Sequence, residues 1–141
     1  MRVMVIVPGG EEMESGQLPP PELFEAMDRY NQELAKAGVL LALEGLLPTS
    51  KGKKVRFEGS RRTVIDGPFT ETKELIGGFW LLQVRDMDEA VEWVKRAPFD
   101  GGVEIVIRQV GELDDYGDAV PESVKQSERR MRSQMETTRS S

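Results

Sequence analysis

Asp66-Gly67-Pro68-Phe69-Thr70-Glu71-Thr72-Lys73-Glu74-Leu75-Ile76-Gly77-Gly78-Phe79 lies between two apolar, strand-like runs and decides how the chain is read. Asp66 ends a strand, Gly67 admits a positive φ, and Pro68 fixes the next φ while driving Gly67 out of the α region. The chain therefore turns sharply and rigidly. Phe69 is left as a hydrophobic anchor, and Thr70 reads as the capping hydroxyl of one helical turn through Glu71, Thr72, Lys73 and Glu74. Gly77 and Gly78 stop that turn and release the chain into the next strand. Taken singly, these charged residues have the ordinary preference of their type for water. Together they sit on a rigid loop at a strand end, where polar groups are commonly held for binding.

The surrounding periodicity supplies the elements. Residues 3–7 form a β-branched, wholly apolar run that reads as a strand buried on both faces. Residues 9–21, rich in Gly, Glu and Pro, read as a mobile loop. Leu23, Met27, Tyr30 and Leu34 recur at helical spacing, Phe24 broadens the stripe, and Gly38 supplies the stop. Residues 39–47 are a second strand ended by Pro48, and residues 53–58 and 61–66 make a hairpin around Gly59-Ser60. Residues 79–84 form another two-faced strand. Asp86 caps a helix with Glu89 in an Asp-x-x-Glu arrangement, Met87, Ala90, Val94 and Ala97 face inward, and Pro98 ends it. Residues 103–110 are the last strand.

The order β-α-β, hairpin, β-α-β predicts an α+β fold in which two helices cover one face of a mainly antiparallel sheet. The other face also carries apolar side chains, so burial alone predicts a homodimer through it, with the C-terminal tail as an alternative cover. Residues 1–110 form the domain. Residues 111–141 read as a C-terminal extension in which Pro121 opens a surface helix with a thin stripe of Val120, Val124, Met131 and Met135, fraying from Thr137.

Composition narrows the chemistry. The chain has 141 residues, 38% of them hydrophobic, which suffices for one core. It holds no cysteine and no histidine, which excludes disulfides, thiol nucleophiles, thiolate metal sites and the usual neutral-pH base. A net charge of -6 argues against nucleic-acid and anionic-membrane partners, both of which need surplus lysine and arginine. No apolar run is long enough to span a bilayer, no signal peptide is evident, and the expected location is the cytoplasm. Without a glycine-rich phosphate loop, no nucleotide cofactor is expected, and no cofactor or metal of any kind is assigned.

Asp66-Gly67-Pro68-Phe69 with Glu71, Lys73 and Glu74, then Gly78-Phe79, resembles the signature of the YCII-related family in its DGPF subgroup. Gly38-Val39-Leu40 leading to Glu44-Gly45-Leu46 extends the resemblance upstream. Asp88-Glu89-Ala90 with Trp93, and Val103-Glu104-Ile105 ending in Arg108, extend it downstream. It implies a ferredoxin-like fold that dimerises into an α/β barrel with a cleft. Some relatives use a His-Asp pair in lyase or dehydrochlorinase chemistry; with no histidine here, that mechanism does not transfer.

Among other polar groups, the basic set Lys51, Lys53, Lys54, Arg56, Arg61 and Arg62 alternates faces and reads as a solvated hairpin. Glu11, Glu12 and Glu14 sit in a segment too unstructured to cage a metal. Met131 and Met135 read as packing residues. Glu104 and Arg108 share a strand face with Val106, on the side of the barrel interior, where a charge must be paired or bind an anion. A cleft collecting Glu44, Asp66, Glu71 and Arg108 would be acidic with one cationic anchor, with Phe69, Phe79 and Trp80 as its apolar wall. The expected function is binding of a small metabolite, with Arg108 ready for an anionic group. The alternative is a cofactor-independent lyase or isomerase with Asp66 or Glu71 as catalytic acid or base.

Overall fold

The computed structural model describes residues 1–69 and 75–140, with Ser140 as backbone only. Two compact units are present, Met1–Gln109 and the stretch from Val110 onward. The first runs β1 (Arg2–Pro8), α1 (Glu11–Glu14), α2 (Pro21–Lys36), β2 (Leu40–Gly45), β3 (Lys53–Glu58), β4 (Arg61–Asp66), β5 (Ile76–Gln83), α3 (Met87–Lys95) and β6 (Val106–Gln109). Four strands form an open antiparallel sheet in the order β2-β5-β1-β6, while among the described residues β3 and β4 pair only with each other. Both α2 and α3 thus connect strands that have a third strand between them, the split βαβ arrangement.

Alternation along the strands decides which side chains meet the helices. Val3 and Val5 on β1, and Trp80 and Leu82 on β5, join Tyr30 and Leu34 of α2 and Ala90 of α3 in one core. Met4, Ile6, Phe79 and Leu81 point to the opposite face and are half-buried. Pro21 starts α2 with its φ preset, and Gly38 ends it at a φ of 77°. Asp86 caps α3 by accepting from the Glu89 N–H at 2.9 Å, and the Glu89 carboxylate accepts from the Arg85 N–H at 2.8 Å.

Several expectations change. The segment expected to be a mobile loop contains α1, and it is tied down. The Glu14 carboxylate accepts from the Thr49 N–H at 3.2 Å and from its hydroxyl at 2.5 Å. The hairpin turns at Gly59, with a φ of 57°, and forms its own two-stranded sheet. The last strand begins at Val106 and not at Val103. Val106 pairs with Ile6, so residues further upstream would meet the bulged end of β1, where Pro8 has no N–H to donate. Gly77 and Gly78 lie inside β5 instead of stopping a turn before it. The helical turn expected over residues 70–74 lies outside the described residues.

In the second unit, a 3₁₀ stretch (Leu113–Ala119) precedes α4 (Glu122–Ser140). Glu112 and Asp115 exchange hydrogen bonds as a capping box at the start of the 3₁₀ stretch. The Arg132 guanidinium donates to Glu128 at 2.7 Å, one turn earlier on α4. Among the described residues, no helix is long and apolar enough to cross a membrane.

Candidate functional site

A cavity of about 320 Å³ opens between α2 and the β2-β5 end of the sheet. From α2 come Leu23, Phe24, Met27 and Asn31, from the sheet Val7, Leu43 and Trp80, from α1 Met13, and from the chain after α3 Phe99. Its volume falls in the range of small-molecule sites, and its walls are almost wholly apolar. A second depression of about 370 Å³ lies over α3, but charged Arg85, Asp86, Asp88, Glu89, Glu92 and Arg96 surround it. Its one aromatic residue, Trp93, is already stacked under the Arg96 guanidinium at 4.4 Å. The apolar cavity is the better candidate.

Glycines make that cavity wall thin. A Cβ on Gly77 would stand 2.5 Å from the Met13 Cε and 2.9 Å from the Pro8 carbonyl oxygen, and one on Gly78 would stand 2.8 Å from the Glu44 carbonyl oxygen. Both positions exclude larger residues through close approach of neighbouring groups. Rings and hydrogen bonds fix the rest. Trp80 meets Tyr30 edge to face at 5.5 Å and Phe99 at 6.1 Å, and its indole N–H donates to Asn31 Oδ1 at 2.8 Å. The Tyr30 hydroxyl donates to the Trp93 carbonyl at 2.6 Å. Burial pushes its pKa up to about 12, with Arg96 opposing the shift and Glu33 adding to it.

The residues singled out from sequence lie in several different places. Trp80 faces the cavity. Glu44 and Phe79 also border it, but Leu43 pairs with Trp80 and Glu44 with Phe79, so alternation sends the side chains of Glu44 and Phe79 to the other sheet face. Arg108 pairs with Met4 and lies exposed on that same opposite face. Asp66 sits at the end of the hairpin, 77% exposed at its side chain and paired with Lys53 opposite. Glu71 lies outside the described residues.

Asp66-Gly67-Pro68-Phe69 instead rests on the turn formed by Thr49 to Gly52. The Gly67 N–H donates to the Gly52 carbonyl at 3.0 Å, and the Phe69 N–H donates to the Thr49 hydroxyl oxygen at 2.9 Å. Thr49 hands its own hydroxyl hydrogen to Glu14, which links α1 to this loop through one side chain. Gly67 does not use a positive φ. It is glycine because a Cβ would lie 1.7 Å from the Thr49 carbonyl oxygen. The Phe69 ring packs beside Gly52, with the Lys54 ammonium 4.6 Å above it.

Asn31 was not singled out from sequence, although its signal is present. It is a polar residue inside the apolar stripe of α2, four residues after Met27 and three before Leu34. Residues 1–112 match the YCII-related domain. The chain belongs to the YCII-related family. This YCII-related chain is also similar to an uncharacterized protein of Rhizobium meliloti (strain 1021), at 34% identity over 69 residues. That match covers 49% of the chain and 56% of the relative, so it spans little more than half the relative's length.

Proposed function

We propose that the YCII-related unit is a binding module that holds a small molecule in the apolar cavity between α2 and β5. The observation that carries this reading is the cavity itself, about 320 Å³ lined almost wholly by apolar residues, with the Asn31 side chain held in place by Trp80. Turnover has less support, because proton transfer needs a titratable group within hydrogen-bond reach of the substrate. Asp66 stands in an exposed ion pair on the hairpin, and alternation directs the Glu44 carboxylate away from the cavity. The test is a thermal-shift screen of a metabolite library against wild type, Leu43→Trp and Asp66→Asn. Leu43 is 41% exposed and borders the cavity, so a tryptophan there fills it with little effect on the core. A hit should be lost in Leu43→Trp and kept in Asp66→Asn. Retention in the first, or loss in the second, would move the site elsewhere.

We further propose that the sheet is of the ferredoxin-like kind, that the chain falls in the DGPF subgroup, and that two copies join their second sheet faces as a dimeric α/β barrel. Support comes from the strand order and from Met4, Ile6, Phe79 and Leu81 on that face, with Val106 beside them 51% exposed. Sedimentation should give a dimer for wild type and a folded monomer for Ile6→Asp. A wild-type monomer at micromolar concentration would refute the barrel.

A further inference from the structure

Resting on the cavity reading above, we propose that the ligand is an uncharged, apolar molecule that presents one hydrogen-bond acceptor to Asn31. The Trp80 indole N–H can only donate, so the Asn31 carboxamide must turn its oxygen toward it, as the 2.8 Å contact shows. The Asn31 NH2 is then directed elsewhere. It has no partner among the described residues, yet none of their side-chain nitrogen or oxygen atoms is buried without one. The NH2 is therefore accessible, and Asn31 is one of the residues that line the cavity. A ligand that covers this donor has to offer it a hydrogen bond, and only an acceptor can do so.

Charge is excluded by what surrounds that donor. Among the described residues no lysine or arginine lines the cavity, so an anion entering it would be stripped of water without a counter-charge. The one carboxylate at the border, Glu44, belongs by strand register to the other face and leaves a cation equally unpaired. The rest of the lining is apolar, with Trp80, Phe99, Phe24 and Leu43 among its walls, and suits an apolar body.

Three probes on one frame separate the terms: 2-acetylnaphthalene has an acceptor and no charge, 2-ethylnaphthalene has neither, and 2-naphthoate has an acceptor and a negative charge. Equilibrium dialysis against full-length wild type should show 2-acetylnaphthalene binding roughly fivefold tighter than 2-ethylnaphthalene, the effect of one neutral hydrogen bond. It should bind at least about tenfold tighter than 2-naphthoate, which must bury an unpaired charge. Asn31→Asp keeps an oxygen for Trp80 but removes the NH2, and should bring the ketone down to the level of the hydrocarbon. If 2-naphthoate binds as well as the ketone, or ketone and hydrocarbon bind alike to wild type, the ligand class is wrong. The cavity still stands in that case, provided Leu43→Trp abolishes binding. If no probe binds, or binding survives Leu43→Trp, the cavity reading itself fails.

Discussion

Thr49→Val tests whether the Asp66–Phe69 loop is held by the relay found in the fold. The hydroxyl donates to the Glu14 carboxylate at 2.5 Å and accepts from the Phe69 N–H at 2.9 Å, and both contacts are half-buried. A hydrogen bond to a charged partner contributes about 1.5–3 kcal/mol and a neutral one about 1 kcal/mol. Water partly restores both, and the Thr49 N–H still reaches Glu14 at 3.2 Å, which brings the expected loss to about 2 kcal/mol. Valine has nearly the same shape, so the change isolates the hydroxyl. Urea unfolding should show a lower midpoint with an unchanged slope, and the melting temperature should fall by about 6–10 °C for a chain of this size. Glu14→Ala and Thr49→Val should be less than additive when combined, since each removes the same bond. A stability change under about 0.5 kcal/mol, the range of ordinary surface substitutions, would refute the relay. Additive losses would show that the two residues act separately.

Gly67→Ala should cost more than Thr49→Val, because the new Cβ would meet the Thr49 backbone oxygen at 1.7 Å and force the loop off its seat; circular dichroism melts would measure it. Tyr30 holds its proton to about pH 12 when folded and to about pH 10 when unfolded, so its contribution is full below pH 10 and is lost between pH 10 and 12. Stability measured across that window should fall by at most about 3 kcal/mol from this group, and less in Tyr30→Phe. Chelator treatment should leave the melting temperature unchanged, since the described residues bring together no three Asp or Glu side chains able to hold a metal.

Local signals in the sequence were enough for β1, α2, the Asp86 cap and the Gly59 hairpin turn, because alternation, helical spacing and capping act over a few residues. They did not reveal why Gly67 is glycine, since the reason is a carbonyl 18 positions earlier in the chain. Nor could they show which face Trp80 takes, because Phe79 and Leu81 on one side are as apolar as Trp80 and Leu82 on the other. The helices settle that choice by packing on Trp80. The cavity gathers Val7, Met13, Phe24, Asn31, Leu43 and Phe99 from separate elements, and each alone reads as ordinary packing or an ordinary surface residue. The carboxylates of the Asp66 to Glu74 stretch drew notice through their density, whereas the polar group that borders the cavity is one amide inside an apolar helix stripe.

The chain has two tryptophans, Trp80 beside the cavity and Trp93 beside the charged depression on α3. Their indole N–H resonances, told apart with Trp93→Phe, report the two sites independently in one NMR titration with 2-acetylnaphthalene. A ligand in the cavity should shift the Trp80 resonance, whose N–H is bonded to Asn31, and leave that of Trp93 in place. A shift confined to Trp93, or none at either indole, would contradict the cavity as the binding site.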